Sequence, residues 1–144
     1  MTRAVAVDFD AVLGDTKPLW LAWVADAERR YRCELDRDLD EALLDERLGN
    51  WRALVERFAE DHAPVYLRPH PDANAALRRL QAAGVRMGAF TDSPEPLARV
   101  AAAHLGVARR LEVLEAGPGA LDRLLASLGP STAVIRKRDE LLSA

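Results

Sequence analysis

The chain has a single cysteine, Cys33, among 144 residues, and one thiol cannot close an internal disulfide. Its three histidines, His62, His70 and His104, fall at a helix end, in a connector and in a helix. No Cys/His spacing of a zinc site is present, and all three are expected to be structural. No apolar run approaches the roughly 18 residues of a membrane-spanning helix. The N-terminus has one Arg and reaches Asp8 too early for a signal peptide, so a cytoplasmic location and no membrane partner are expected. Positive charge is not in excess: 20 Lys plus Arg stand against 23 Asp plus Glu, which argues against nucleic acid as a partner. Lysine is scarce. Only Lys17 and Lys137 can serve chemistry that needs an ammonium group.

The remaining composition, 49% hydrophobic and 30% charged, fits one domain with a real core. Ala4 to Val7 is an apolar run that ends in Asp8-Phe9-Asp10, with Gly14 beyond; this predicts a buried strand feeding a loop. Two carboxylates one residue apart then sit at a strand's C-terminal end, where α/β proteins bind ligands. Acids that close repel unless a cation or a shared proton offsets them. The residues alone leave two readings open, an acidic turn or a nucleophile and general acid beside Mg²⁺.

Downstream, Thr16-Lys17-Pro18 predicts a helix start with Thr as cap, and Leu19, Trp20, Trp23, Val24, Ala27 and Tyr31 recur at helical spacing. A second pattern runs through Leu39, Leu43, Leu44 and Leu48 to Gly49. Asn50 caps a third, with Trp51, Leu54, Val55 and Phe58. All three Trp residues fall on apolar stripes and are expected to pack. An extended connector follows at Tyr66–Pro71, where the two prolines disfavour helix. Asp72 is expected to cap the next helix, which Gly84 closes. A strand is predicted over Val85–Phe90, and then a helix capped by Ser93 and stopped by Gly106. A short strand over Leu111–Leu114, a helix ended by Gly129, a strand over Thr132–Ile135 and two helical turns from Arg138 complete the chain. Strands alternating with helices imply a parallel sheet with right-handed crossovers.

In this order the segments resemble the haloacid dehalogenase-like (HAD) superfamily, mostly Mg²⁺-dependent phosphatases. VDFDAVLGDT is similar to its first motif, and PHPDANAALRRLQAAGVRMGAFTDSP to its second block. The resemblance implies an α/β, Rossmann-like parallel sheet of about four strands flanked by helices. The core would be residues 1–16 and 66–144, with a small all-helical cap at 17–65 inserted after the first strand. It implies that Asp8 is the nucleophile and Asp10 the general acid and base, and that both lie at the Mg²⁺. Thr91, Asp92 and Lys137 would lie at the phosphate, and the substrate would be a small phosphorylated molecule or other small anion.

The chain departs from that pattern at several positions. Gly117, followed by Pro118, stands where the third motif has Lys. Ile135-Arg136 stand where the fourth has Gly-Asp, with Glu140 at its later acid, and Ala11-Val12 replace Gly-Thr. The usual fifth strand is not expected among these residues. Losing the Asp weakens a Mg²⁺ site, and losing the Lys removes charge stabilisation near Asp8. Arg136 and Glu140 are therefore candidates for charge compensation or metal replacement, and Lys137 for the missing ammonium. Two functions are expected to compete. One is impaired phosphate-ester hydrolysis; the other is a catalytically silent binding or assembly module that dimerises through the cap or the fourth-strand edge. Metal-free dehalogenation fits less well, because its Asp-nucleophile enzymes generally lack the second Asp and keep the Lys.

Overall fold

The computed structural model describes residues 3–144. Four parallel strands form one sheet: β1 (Ala4–Asp8), β2 (Arg86–Thr91), β3 (Val113–Ala116) and β4 (Thr132–Ile135), in the order β3-β2-β1-β4. The earliest strand is thus central. Ala4 pairs with Arg86 on one side and with Thr132 on the other. It reads as a continuous apolar run because both faces of a parallel sheet are covered.

The covering differs by face. Val5, Val7, Met87 and Ala89 point into a large core with Leu77, Leu80, Leu97 and Ala101. These come from α4 (Pro71–Ala82) and α5 (Glu95–Leu105), and α7 (Arg138–Leu142) adds Leu141. Ala4, Ala6 and Phe90 face the other way, onto Leu124 and Leu128 of α6 (Ala120–Leu128). Small residues let α6 approach closely. A Cβ added at Gly88 would stand 2.5 Å from Leu124 Cδ1 and 3.1 Å from the Val113 carbonyl oxygen.

Between β1 and α4 lie three helices, α1 (Lys17–Tyr31), α2 (Glu41–Leu48) and α3 (Trp51–Tyr66). Their apolar stripes join the large core without a break, through Trp20, Trp23, Leu44, Trp51 and Val55. Trp20 stacks on Trp23 at 5.3 Å, and Trp23 meets Trp51 at 6.5 Å. The Trp residues therefore pack, as their spacing predicts.

Several boundaries move. Helix α3 continues through Pro64 to Tyr66, so the connector is only Leu67–His70. Helix α4 starts at Pro71, with His70 in the cap position, and the Asp72 carboxylate accepts from Ala73 N–H at 2.8 Å instead of capping from outside. Strand β3 begins two residues later than predicted, because Ala108–Arg110 forms a 3₁₀ turn that uses up Leu111. Among the described residues, no helix is long and apolar enough to cross a membrane.

Candidate active site

Strand β1 delivers Asp8 to the C-terminal edge of the sheet. The backbone then makes one π-helical turn, Phe9–Leu13, closed by Gly14 N–H donating to the Phe9 carbonyl at 3.0 Å. Buried Phe9, Val12 and Leu13 hold this turn. Gly14 has no room for a side chain, since a Cβ there would meet Leu105 Cδ1 at 2.7 Å. From the far end of the chain, Arg138 Nε donates to the Val12 carbonyl at 3.1 Å. The simple loop expected here is a built turn, and it turns Asp10 back toward β2.

Asp10 is held from two elements. Thr16 is fully buried and donates both its N–H (2.8 Å) and its hydroxyl (2.5 Å) to Asp10 Oδ1. Thr91, at the end of β2, donates its hydroxyl to Asp10 Oδ2 at 2.6 Å. Behind them Ser93 N–H donates to Thr91 Oγ1 at 3.2 Å. The Thr16 proton is already on Asp10, so the 2.6 Å contact between the Thr16 and Ser93 hydroxyls has Ser93 as donor. Thr16 and Ser93, expected as helix caps, thus make no side-chain cap: Thr16 serves Asp10, and α5 starts after Pro94.

Asp8 has different neighbours. One oxygen accepts from Ala11 N–H at 3.3 Å. The other lies 4.0 Å from Arg136 Nη1. Arg136 leaves the end of β4, sits over the Phe90 ring at 5.6 Å and donates its N–H to Glu140 Oε1 at 3.4 Å. Burial pushes the Asp8 carboxyl above the usual aspartate range and the Asp10 charge adds to this, while Ala11 N–H and Arg136 pull the other way. The Arg136 side chain is 57% exposed, and such a pair contributes about 0–1 kcal/mol. Its significance is its place, not its strength.

A cleft of about 450 Å³ opens beside the two aspartates. Ala11, Asp15, Asp92 and Ser93 line it from the core, and Lys17, Trp20, Arg37, Asp38 and Leu39 from the helical insert. Asp8, Asp10, Thr91 and Asp92 are therefore gathered at one place, with Arg136 and Glu140 beside them. Lys137 is an exposed residue in the cap position of α7 and is not among the cleft's lining residues. Gly117 has φ +86°, a backbone state that any side chain strains, and this is a local reason against Lys there. Sequence reasoning passed over Thr16, Ser93, Lys17 and Arg37 as site residues. The signal for Lys17 was its place directly after Thr16.

The donor set does not fit a resident Mg²⁺. That ion wants octahedral oxygen ligation with one or two carboxylates as anchors. Here Asp10 has both oxygens engaged, and Asp8 faces a guanidinium. Among the described residues, no group of three or more His, Cys, Asp or Glu side chains is arranged to hold a metal ion.

Solved structures with the same fold include a HAD phosphatase from Thermococcus onnurineus, 18% identical with TM-score 0.54, over 99% of this chain and 97% of that one. A β-phosphoglucomutase from Clostridium difficile is 14% identical with TM-score 0.56, over 99% and 81%. An L-2-haloacid dehalogenase from Xanthobacter autotrophicus, solved with chloropropionic acid covalently bound, is 16% identical with TM-score 0.54, over 93% and 69%. At these identities the likeness is one of fold. No curated protein matches the sequence. The family model that matches spans residues 2–128, from the first strand through α6, and by that match the chain belongs to the haloacid dehalogenase-like hydrolases.

Proposed function

We propose that the chain is a phosphate-ester hydrolase of low turnover, in which the Arg136 guanidinium stands beside the Asp8 nucleophile where its relatives' pattern places a metal-holding acid. The observation that carries this reading is the 4.0 Å approach of Arg136 to Asp8. In the first step, Asp8 Oδ attacks phosphorus and the ester P–O bond breaks, with Asp10 giving a proton to the leaving oxygen. In the second, Asp10 takes a proton from water, which attacks the aspartyl-phosphate and frees Asp8 and inorganic phosphate. Two features of the site support low turnover. A guanidinium supplies less charge than a dication, and Thr16 and Thr91 take three of the roughly four acceptor sites of the Asp10 carboxylate, which leaves one for proton transfer.

The test is phosphate release from p-nitrophenyl phosphate with excess chelator present. Slow release, unchanged by chelator and lost in Asp8→Asn, is expected. Release that requires added Mg²⁺ would overturn the reading.

A second reading has its own support. Three donors lock Asp10, and β4 forms an edge of the sheet, which suits pairing with another copy. On that reading the chain is a silent binding module that dimerises. No release across a broad ester panel, together with a dimer by light scattering, would favour it.

A further inference from the structure

Several arginines on this surface are answered by acids. Arg52 pairs with Glu41 and Asp45, Arg99 with Glu56 and Glu95, and Arg123 with Glu115. Two cations in the cleft are not. Among the described residues, neither Lys17 nor Arg37 has a side-chain ion pair, although both line a cleft that also contains carboxylates.

Both are fixed at the backbone. Thr16, with its N–H and hydroxyl on Asp10, immediately precedes Lys17, and Lys17 N–H donates to Asp15 Oδ1 at 3.1 Å. The root of the lysine stem is thus held beside the two catalytic carboxylates, while its exposed ammonium swings on four carbons. Arg37 lies in the connector from α1 to α2. Its carbonyl accepts the Trp20 indole N–H at 2.7 Å, and Trp20 is buried. Two residues on, Leu39 reaches the turn after β3, where a Cβ on Gly117 would stand 3.7 Å from Leu39 Cδ2. The connector is tied at both places and carries Arg37 across the cleft.

We infer that Lys17 and Arg37 form a two-cation clamp for the phosphoryl group of a small monoester that carries no second negative charge. Two mobile donors that line one cleft can meet different oxygens of a tetrahedral phosphoryl group, and hydrogen bonds between ionised partners are the strong ones. The limit on the remainder of the molecule comes from Asp15, Asp38 and Asp92, which line the same cleft. These would repel a second anionic group, the more so as a ligand displaces water. The inference rests on the cleft being a phosphate-ester site.

The experiment is calorimetric titration of the protein with inorganic phosphate, with thermal melts to confirm that each variant folds. Lys17→Met and Arg37→Met are each expected to weaken binding about tenfold or more, the scale of one charged hydrogen bond. Lys17→Arg should recover part of the loss. Ethyl phosphate should bind more tightly than phosphoglycolate, which carries an added carboxylate. Absence of phosphate binding, unchanged binding in both Met variants, or preference for phosphoglycolate would each overturn the clamp. The two claims separate. Lys17-dependent phosphate binding without any ester turnover keeps the clamp and sinks the hydrolase reading. Turnover with KM unmoved in both Met variants does the reverse.

Discussion

The Thr91 hydroxyl donates to Asp10 Oδ2 at 2.6 Å across 81 positions of chain. The same oxygen atom of Thr91 accepts Ser93 N–H, so one buried hydroxyl ties the end of β2 to the turn after β1. Replacing Thr91 with Val keeps the shape but strands a buried N–H. A loss of about 1–3 kcal/mol is expected in urea denaturation, and Thr91→Ser should restore most of it. Equal stability of the Val variant would mean that the bond contributes nothing.

Asp8 gives a pH-dependent prediction. Its carboxyl binds a proton more tightly in the folded state, chiefly because of burial. Below the unfolded value of about 3.9 both states are protonated and Asp8 costs nothing. As pH rises through the higher folded value, charging the buried group becomes a cost to stability. Asp8→Asn should therefore melt above the parent protein at pH 7, with the gain shrinking to nothing near pH 4. A difference independent of pH, or of opposite sign, would contradict this.

Arg136 can be turned back into an acid. Arg136→Asp would place a third carboxylate beside Asp8 and Asp10 and remove the guanidinium that faces Asp8. Calorimetry with millimolar Mg²⁺ should show binding heat in the variant and none in the parent protein. Binding by the parent would show that Arg136 leaves the metal position open.

Gly88 tests the thinner layer of the core. Its added Cβ would collide with Leu124 Cδ1 and press on the Val113 carbonyl oxygen, and backbone cannot move aside as a side chain can. Gly88→Ala is expected to lose about 1–3 kcal/mol, the usual cost of overpacking. A thermal melt is sufficient to check it.

The sheet was legible chiefly through the apolar runs of β1 and β2, and β4 is as predicted, whereas β3, with Glu115 inside it, lies two residues later than its pattern suggests. Helix stripes were legible for the same reason. Asp8 and Asp10 could be singled out because they end an apolar strand, and Thr91 because the family resemblance marks that position. The π-helical turn could not. Nothing in Phe9–Leu13 encodes it locally; it depends on Gly14 fitting under Leu105 and on Arg138 reaching Val12. Thr16 and Ser93 misled because a hydroxyl residue just before a helical pattern normally caps it. Their partner is a carboxylate brought in by tertiary structure. Lys17 and Arg37 were invisible as a pair, since an exposed cation has no periodic signature and only the fold of the connector brings them to one cleft.

The central position of β1 has a consequence for synthesis. Ala4 leaves the ribosome well before its partner Thr132, which follows after a delay of roughly 6 to 26 seconds at 5–20 residues per second. For that interval the run Ala4–Val7 has no β4 beside it, and Asp8 has no Arg136. The strand that carries Asp8 is made long before the residue that faces it.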